Sequence, residues 1–223
     1  MPSRGRAART GNDVPPRRLN TNVPSRSLFA TRFYQGQLGD PALVAELDDA
    51  CRALAAQDQA GRRWCKENGY RGYTSYASLN DLPSRDPRFD DLRRLLARHV
   101  AAFADDCAME LGGRRLKLDS LWVNVLKPGG AHYGHIHPHS AVSGTIYITV
   151  PPGSGALKLE DPRLPMMMAA PPRRADAPDE LRTYVYAEPA PGDVFLWESW
   201  LRHEVVPGTA KAERISISFN YRV

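Results

Sequence analysis

The run RLKLDSLWVNVL, residues 115–126, decides the fold. It is β-branched and aromatic, which is strand composition. The rest of the chain repeats that texture in SGTIYITV, GALKLE, TYVYAE, DVFLWE and RISISFNYRV. Gly- and Pro-rich breaks such as KPGG, PPGSG, PAPGD and VPGT separate these runs. In Arg214–Phe219 the period is two: Ile215, Ile217 and Phe219 share one face, and Arg214, Ser216 and Ser218 share the other. Upstream of residue 115 the pattern is helical. DPALVAELDDACRALAAQDQ opens with Asp40 as a cap and Pro41 in the first turn, and Leu43, Val44, Leu47, Cys51 and Leu54 line one face. A second helix starts at Asp86, carries Phe89, Leu92, Leu96 and Phe103, and is expected to stop at Gly112-Gly113. SLFATRFYQGQL reads as a strand entering the fold, and GYRGYTSYASLNDLP as a strand plus loop. Helices followed by a run of short strands predict an antiparallel barrel or sandwich, mainly β with flanking helices.

The 223 residues are 42% hydrophobic, enough for a true core and too many for a disordered chain. Residues 25–223 read as a single domain, with helices at about 41–58 and 87–111. Seven arginines and one aspartate fall within residues 1–32, so the net charge of +5 belongs to the tail. Residues 1–24 are expected to be a disordered basic arm and not a nucleic-acid-binding segment, with an organellar transit peptide as the minor alternative. No apolar run reaches the ~18 residues of a membrane span. Cys51, Cys65 and Cys107 are odd in number and widely spaced, which argues against a disulfide framework and for a reducing, cytoplasmic setting.

The chain has six histidines, and three stand within five positions of YGHIHPHSAVSGTIYI, residues 133–148. Ligands on one strand must share a face, hence a spacing of two. His135 and His137 satisfy this, as do His137 and His139, although Pro138 interrupts the second pair. Imidazole suits iron, copper, zinc and nickel alike. On this motif alone a solvated polar turn is an equal reading. DVFLWESWLRHEVVPG then places His203 at the end of an apolar run, and Arg214 follows with Ser216 on its own face. A buried Arg on a strand is costly unless an anion pairs with it, and its fork suits a carboxylate. Together these residues suggest a metal beside a carboxylate-binding pocket.

The stretches WVNVLKPGGAHYGHIHPHSAVSGTIYI, GALKLEDPR, WESWLRHEVVPG and RISISFN resemble a bacterial group of 2-oxoglutarate/Fe(II)-dependent oxygenases of the prolyl-hydroxylase-like branch. The resemblance covers about residues 70–223. It implies a double-stranded β-helix (jelly-roll) barrel with Fe(II) at one end. His135 and His203 would be ligands, and His137 would occupy the position usually held by Asp or Glu. Arg214 would hold the far carboxylate of the cosubstrate 2-oxoglutarate, with Ser216 in support. Asn124 falls near a polar cosubstrate contact, and Tyr147 would contact cosubstrate or core. The activity implied is O2-dependent hydroxylation of a substrate that the sequence does not name, with no catalytic residue beyond the metal centre.

The usual non-haem iron triad is two His and one carboxylate, and here no acid stands at that spacing. Glu160, Asp161, Glu198 and Glu204 are the candidates that could supply one. Three-His iron also resembles cupin-like dioxygenases that use no oxoacid, which is the alternative function. A non-enzymatic metal-binding barrel is the other. His139 either orients a ligand or sits in an exposed turn. Trp197 and Trp200 either floor the pocket or pack in the core. His132 and His99 read as ordinary, and Arg163 and Arg202 as exposed ion pairs. MMMAAPPRRADAPDE, residues 166–180, reads as a long loop over one mouth of the barrel. A homodimer is compatible with that loop and the arm.

Overall fold

The computed structural model describes residues 25–223, and the arm expected over 1–24 lies outside the described residues. Residues 25–30 carry no regular element and are exposed. Thr31–Val223 form one compact unit. Strand β1 (Phe33–Gln37) leads to helix α1 (Pro41–Gln57). The Asp40 carboxylate accepts the Leu43 N–H and so caps α1, which buries Leu43, Leu47, Ala50 and Cys51. A helix that the sequence reading did not separate, α2 (Gln59–Glu67), follows at once. Asp58 makes the break. Its N–H closes α1 on the Leu54 carbonyl, while its carboxylate accepts the Gly61 N–H and starts α2. After β2 (Gly72–Thr74), α3 (Pro87–Asp106) buries Phe89, Leu92, Leu96, Val100 and Phe103.

α3 ends before the Gly112-Gly113 pair expected to stop it. Ala108 takes the left-handed conformation (φ 51°), and the Ala108 and Met109 N–H groups bond back to the Asp105 and Ala104 carbonyls. This is a Schellman closure built on alanine, so no glycine marks it in the sequence.

The remaining strands are β3 (Lys117–Leu126), β4 (His132–His135), β5 (Val142–Thr149), β6 (Leu157–Glu160), β7 (Tyr184–Ala187), β8 (Asp193–Glu198), β9 (His203–Val205) and β10 (Arg214–Arg222). They form two antiparallel sheets, one of six strands in the order β1-β8-β5-β10-β3-β2 and one of four in the order β4-β9-β6-β7. The expected jelly-roll barrel is therefore corrected. Among the described residues no ladder joins one sheet to the other, so the sheets stay open-edged, and with three helices the fold is mixed α/β and not mainly β. Closure needs strands long enough to carry hydrogen bonds around the corners. Those of the smaller sheet have only three or four residues and are flanked by Pro- and Gly-rich turns.

The helices cover one face of the large sheet. Leu47, Leu92 and Phe103 share a core with Val123, Ile146, Ile217 and Phe219. The small sheet approaches the opposite face, where Tyr147, Phe195 and Trp197 meet Leu157, Leu159 and Val205. Strand pleating then assigns every other residue of the large sheet to the space between the sheets. In β10 the odd positions 215, 217 and 219 join the helix-side core, leaving Arg214, Ser216 and Ser218 for the other face. Ser216 sits opposite Asn124 on β3 and Tyr147 on β5, and Ser218 sits opposite Trp122 and Thr145. No helix among the described residues is long and apolar enough to cross a membrane.

Candidate metal centre

A cavity of about 280 Å³ opens between the two sheets, and His135, His137 and His203 all line it. His135 ends β4 and His203 begins β9, directly opposite each other in the ladder. His137 lies just past the strand, where its N–H donates to the Ser199 carbonyl at 2.9 Å. One ligand atom from each of the three rings falls within 4.8 Å of the others. The His135 and His203 rings are 4.4 Å apart between centroids.

Hydrogen bonding assigns the tautomers. Nδ1 of His135 lies 2.6 Å from the Tyr133 carbonyl, and Nδ1 of His203 lies 2.8 Å from that of Leu201. A carbonyl can only accept, so each Nδ1 carries the proton and each Nε2 keeps a free lone pair. Burial pushes His203 down to about 3, with the charge of His135 adding to it, and pushes His137 down to about 4 for the same two reasons. Both imidazoles are thus neutral, as a metal ligand must be.

The carboxylates weighed as a third ligand type are not in this group. Glu160 faces Arg202 at 3.5 Å, Asp161 pairs with Arg163 at 2.8 Å, and Glu204 accepts from Lys158 at 2.7 Å. Glu198, at the end of β8, does not join the three rings either.

Arg214 lies in the same cavity, buried, with its Nη1 donating to the Gly155 carbonyl at 3.0 Å. Its Nε has no partner, and neither does the hydroxyl of Tyr147, whose ring centroid is 5.4 Å from the guanidinium. No carboxylate is among the charges that act on Arg214, and burial lowers its pKa. A buried cation without a counter-ion, beside an orphaned hydroxyl, fits an anion entering the cavity. Ser216 is buried and lines the cavity. Asn124 also lines it, but its carboxamide is already engaged: Oδ1 accepts from Thr74 Oγ1 at 2.9 Å and Nδ2 donates to Ser218 Oγ at 3.0 Å.

Trp197 is buried against His203, 4.6 Å between rings. Trp200 is 47% exposed and does not line the cavity, and His139 is exposed in the turn after the cluster. His99 bonds the Tyr34 hydroxyl at 2.8 Å, away from the site. His132 is not the ordinary residue the sequence suggests. It lines the cavity, and its Nε2 lies 2.5 Å from the Tyr70 hydroxyl. Trp64, Tyr76 and Trp122 line the cavity as well. Trp122 shares its strand face with Asn124, and that parity is the one sequence signal that could have found it.

Residues 120–220 match the family described as "Putative 2OG-Fe(II) oxygenase". Over that segment the chain is similar to this family. The matched segment holds the three histidines, Arg214 and Ser216. Solved structures agree with the chain in fold. A Pseudomonas putida prolyl-4-hydroxylase is 18% identical, with 86% of this chain and 92% of that one covered at a TM-score of 0.57. AviO1 from Streptomyces viridochromogenes Tue57 is 17% identical, with 87% and 90% covered at a TM-score of 0.59. The viral collagen prolyl hydroxylase vCPH from Paramecium Bursaria Chlorella virus-1 is 12% identical, with 86% and 96% covered at a TM-score of 0.55. At such identities the likeness is one of fold. No curated protein sequence matches the chain.

Proposed function

We propose that the chain is an iron-dependent oxygenase, that it holds the metal through three imidazoles, those of His135, His137 and His203, and that no protein carboxylate takes part. The observation that carries this reading is the meeting of three ligand atoms within 4.8 Å with no acid in the group. It favours the three-His alternative over the two-His, one-carboxylate centre. The donor set fits the metal, since neutral imidazole nitrogen is a good ligand for iron. Three protein ligands also leave positions open, unlike a filled structural site. Bound iron supplies the redox chemistry between O2 and an organic substrate.

The chain's own residues supply placement. The carbonyls of Tyr133 and Leu201 hold the His135 and His203 rings with Nε2 toward the site. Trp197 packs on His203 and keeps water from that side. Arg214, with Ser216 and the Tyr147 hydroxyl, receives a carboxylate of the small molecule that shares the cavity. In the leading reading that carboxylate belongs to the substrate.

A second reading is favoured by Arg214 itself. A buried cation lacking a protein partner suits a cosubstrate dianion, so the carboxylate would be that of 2-oxoglutarate and the reaction a hydroxylation. One experiment separates the two: thermal unfolding of the anaerobic Fe(II) protein with and without millimolar 2-oxoglutarate. A ligand of the native state must raise the transition. A rise in the wild type that vanishes in Arg214→Ala supports the oxoacid. No rise leaves the three-His dioxygenase without an oxoacid. Failure to bind about one iron per chain, with His203→Ala indistinguishable from wild type, removes both.

A further inference from the structure

The cavity has two chemically different ends. Arg214 stands opposite Leu126 and Ser218 opposite Trp122, so four residues of β10, roughly 13 Å of backbone, separate the strand positions that carry the cation and the indole. At the indole end the rings form a continuous wall. Tyr76, 52% exposed, meets Trp122 edge-on at 5.1 Å, and Trp122 lies 6.1 Å from His137. The wall therefore runs from solvent to the histidine cluster. Trp64 on α2 also borders the cavity. The neighbouring polar side chains Thr74, Asn124 and Ser218 are bonded to one another. They place no demand on a ligand for hydrogen bonds. Among the described residues lining the cavity there is no Asp, Glu or Lys, and Arg214 is the one permanent charge.

We infer that the Tyr76–Trp122 wall binds the organic substrate, and that this substrate presents an uncharged, flat aromatic ring to Trp122. An indole face and a tyrosine edge favour stacked or edge-on rings. A cationic group at this wall would sit beside the metal held at His137, 6.1 Å from Trp122, with no acid in the lining to offset the two charges, so a cation is rejected. This substrate class rests on the metal-centre reading for the chemistry it undergoes, but not for its binding.

The test is calorimetric titration of the full chain, loaded with redox-inert Zn(II), with two probes: neutral 2-naphthol and the protonated 2-naphthylmethylamine. The neutral ring should bind, and the ammonium should bind about tenfold more weakly or not at all. Trp122→Ala should weaken 2-naphthol about tenfold, whereas Trp122→Phe should keep most of the affinity. Tyr76→Ala, at an exposed position, should weaken it about threefold and serves if Trp122→Ala does not fold. Zinc content and circular dichroism report whether each variant is intact. No binding by the wild type, equal binding of the ammonium, or unchanged affinity in the folded variants overturns the inference. A chain that binds 2-naphthol through Trp122 but holds no metal removes the metal reading alone. A chain that holds metal but ignores 2-naphthol removes the substrate inference alone.

Discussion

His135 and His203 face each other across one rung of the β4–β9 ladder, and each turns its Nδ1 back onto the carbonyl two residues earlier. The local backbone thus sets which nitrogen is free, before any metal arrives. His203→Ala should lower Co(II) or Fe(II) affinity by more than about 100-fold, checked by equilibrium titration, with the secondary structure intact. Arg214 makes the opposite kind of prediction. It is a buried charge with one carbonyl as its partner, and burial opposes its ionisation. Arg214→Met should leave the ligand-free protein as stable as wild type within about 1 kcal/mol, or more stable, by urea unfolding. It should also abolish stabilisation by small carboxylates. A loss of several kcal/mol would mean that the guanidinium is a structural partner. At this scale the sequence was informative where chemistry is carried by parity and spacing, as for positions 135, 137, 214 and 216. It was silent on the Tyr70–His132 pair, because a tyrosine and a histidine 62 residues apart share no local pattern.

Helix boundaries show a related limit. Asp40 and Asp86 cap α1 and α3 at positions where Asp-Pro marks a start in the sequence. The stops are different. Asp58 divides α1 from α2 because its carboxylate also accepts the Tyr73 hydroxyl at 2.9 Å and the Ser78 hydroxyl, partners that only the fold delivers. α3 stops at a left-handed alanine. A left-handed alanine costs about 1 kcal/mol more than glycine there, partly offset by the freedom glycine adds to the unfolded chain. Ala108→Gly should therefore raise stability by roughly 0.5–1 kcal/mol, read as a higher urea midpoint at unchanged slope. An unchanged or lower midpoint would show that the closure is not strained.

Across the whole molecule, the space between the sheets is where buried ionisable groups accumulate, and this governs the response to pH. His132, His137 and His203 are held near 3, 4 and 3, below the ordinary 6.5, first by burial. Between about 6.5 and 3 the unfolded chain binds protons that the native protein does not, so stability rises with pH in that window and is lost as pH falls. The metal-free protein should lose up to about 1.4 kcal/mol per pH unit per such group on going from pH 7 toward 4, measured by urea unfolding. A flat profile over that range would contradict the burial of these imidazoles. Asp58, whose pKa hydrogen bonds lower despite burial, adds a further loss at the acid end. The amino-acid sequence by itself determined where α1 and α3 begin, where most of the strands run, which strand faces are apolar, and the His135–His137 spacing, because periodicity and capping act over a few residues. Only the tertiary structure decided that the sheets remain open, that every nearby carboxylate is engaged or turned elsewhere, and that Trp122 and Tyr76 reach the same cavity as Arg214. Those outcomes depend on how short strands far apart in the chain pack across a shared space, and no local pattern encodes that distance.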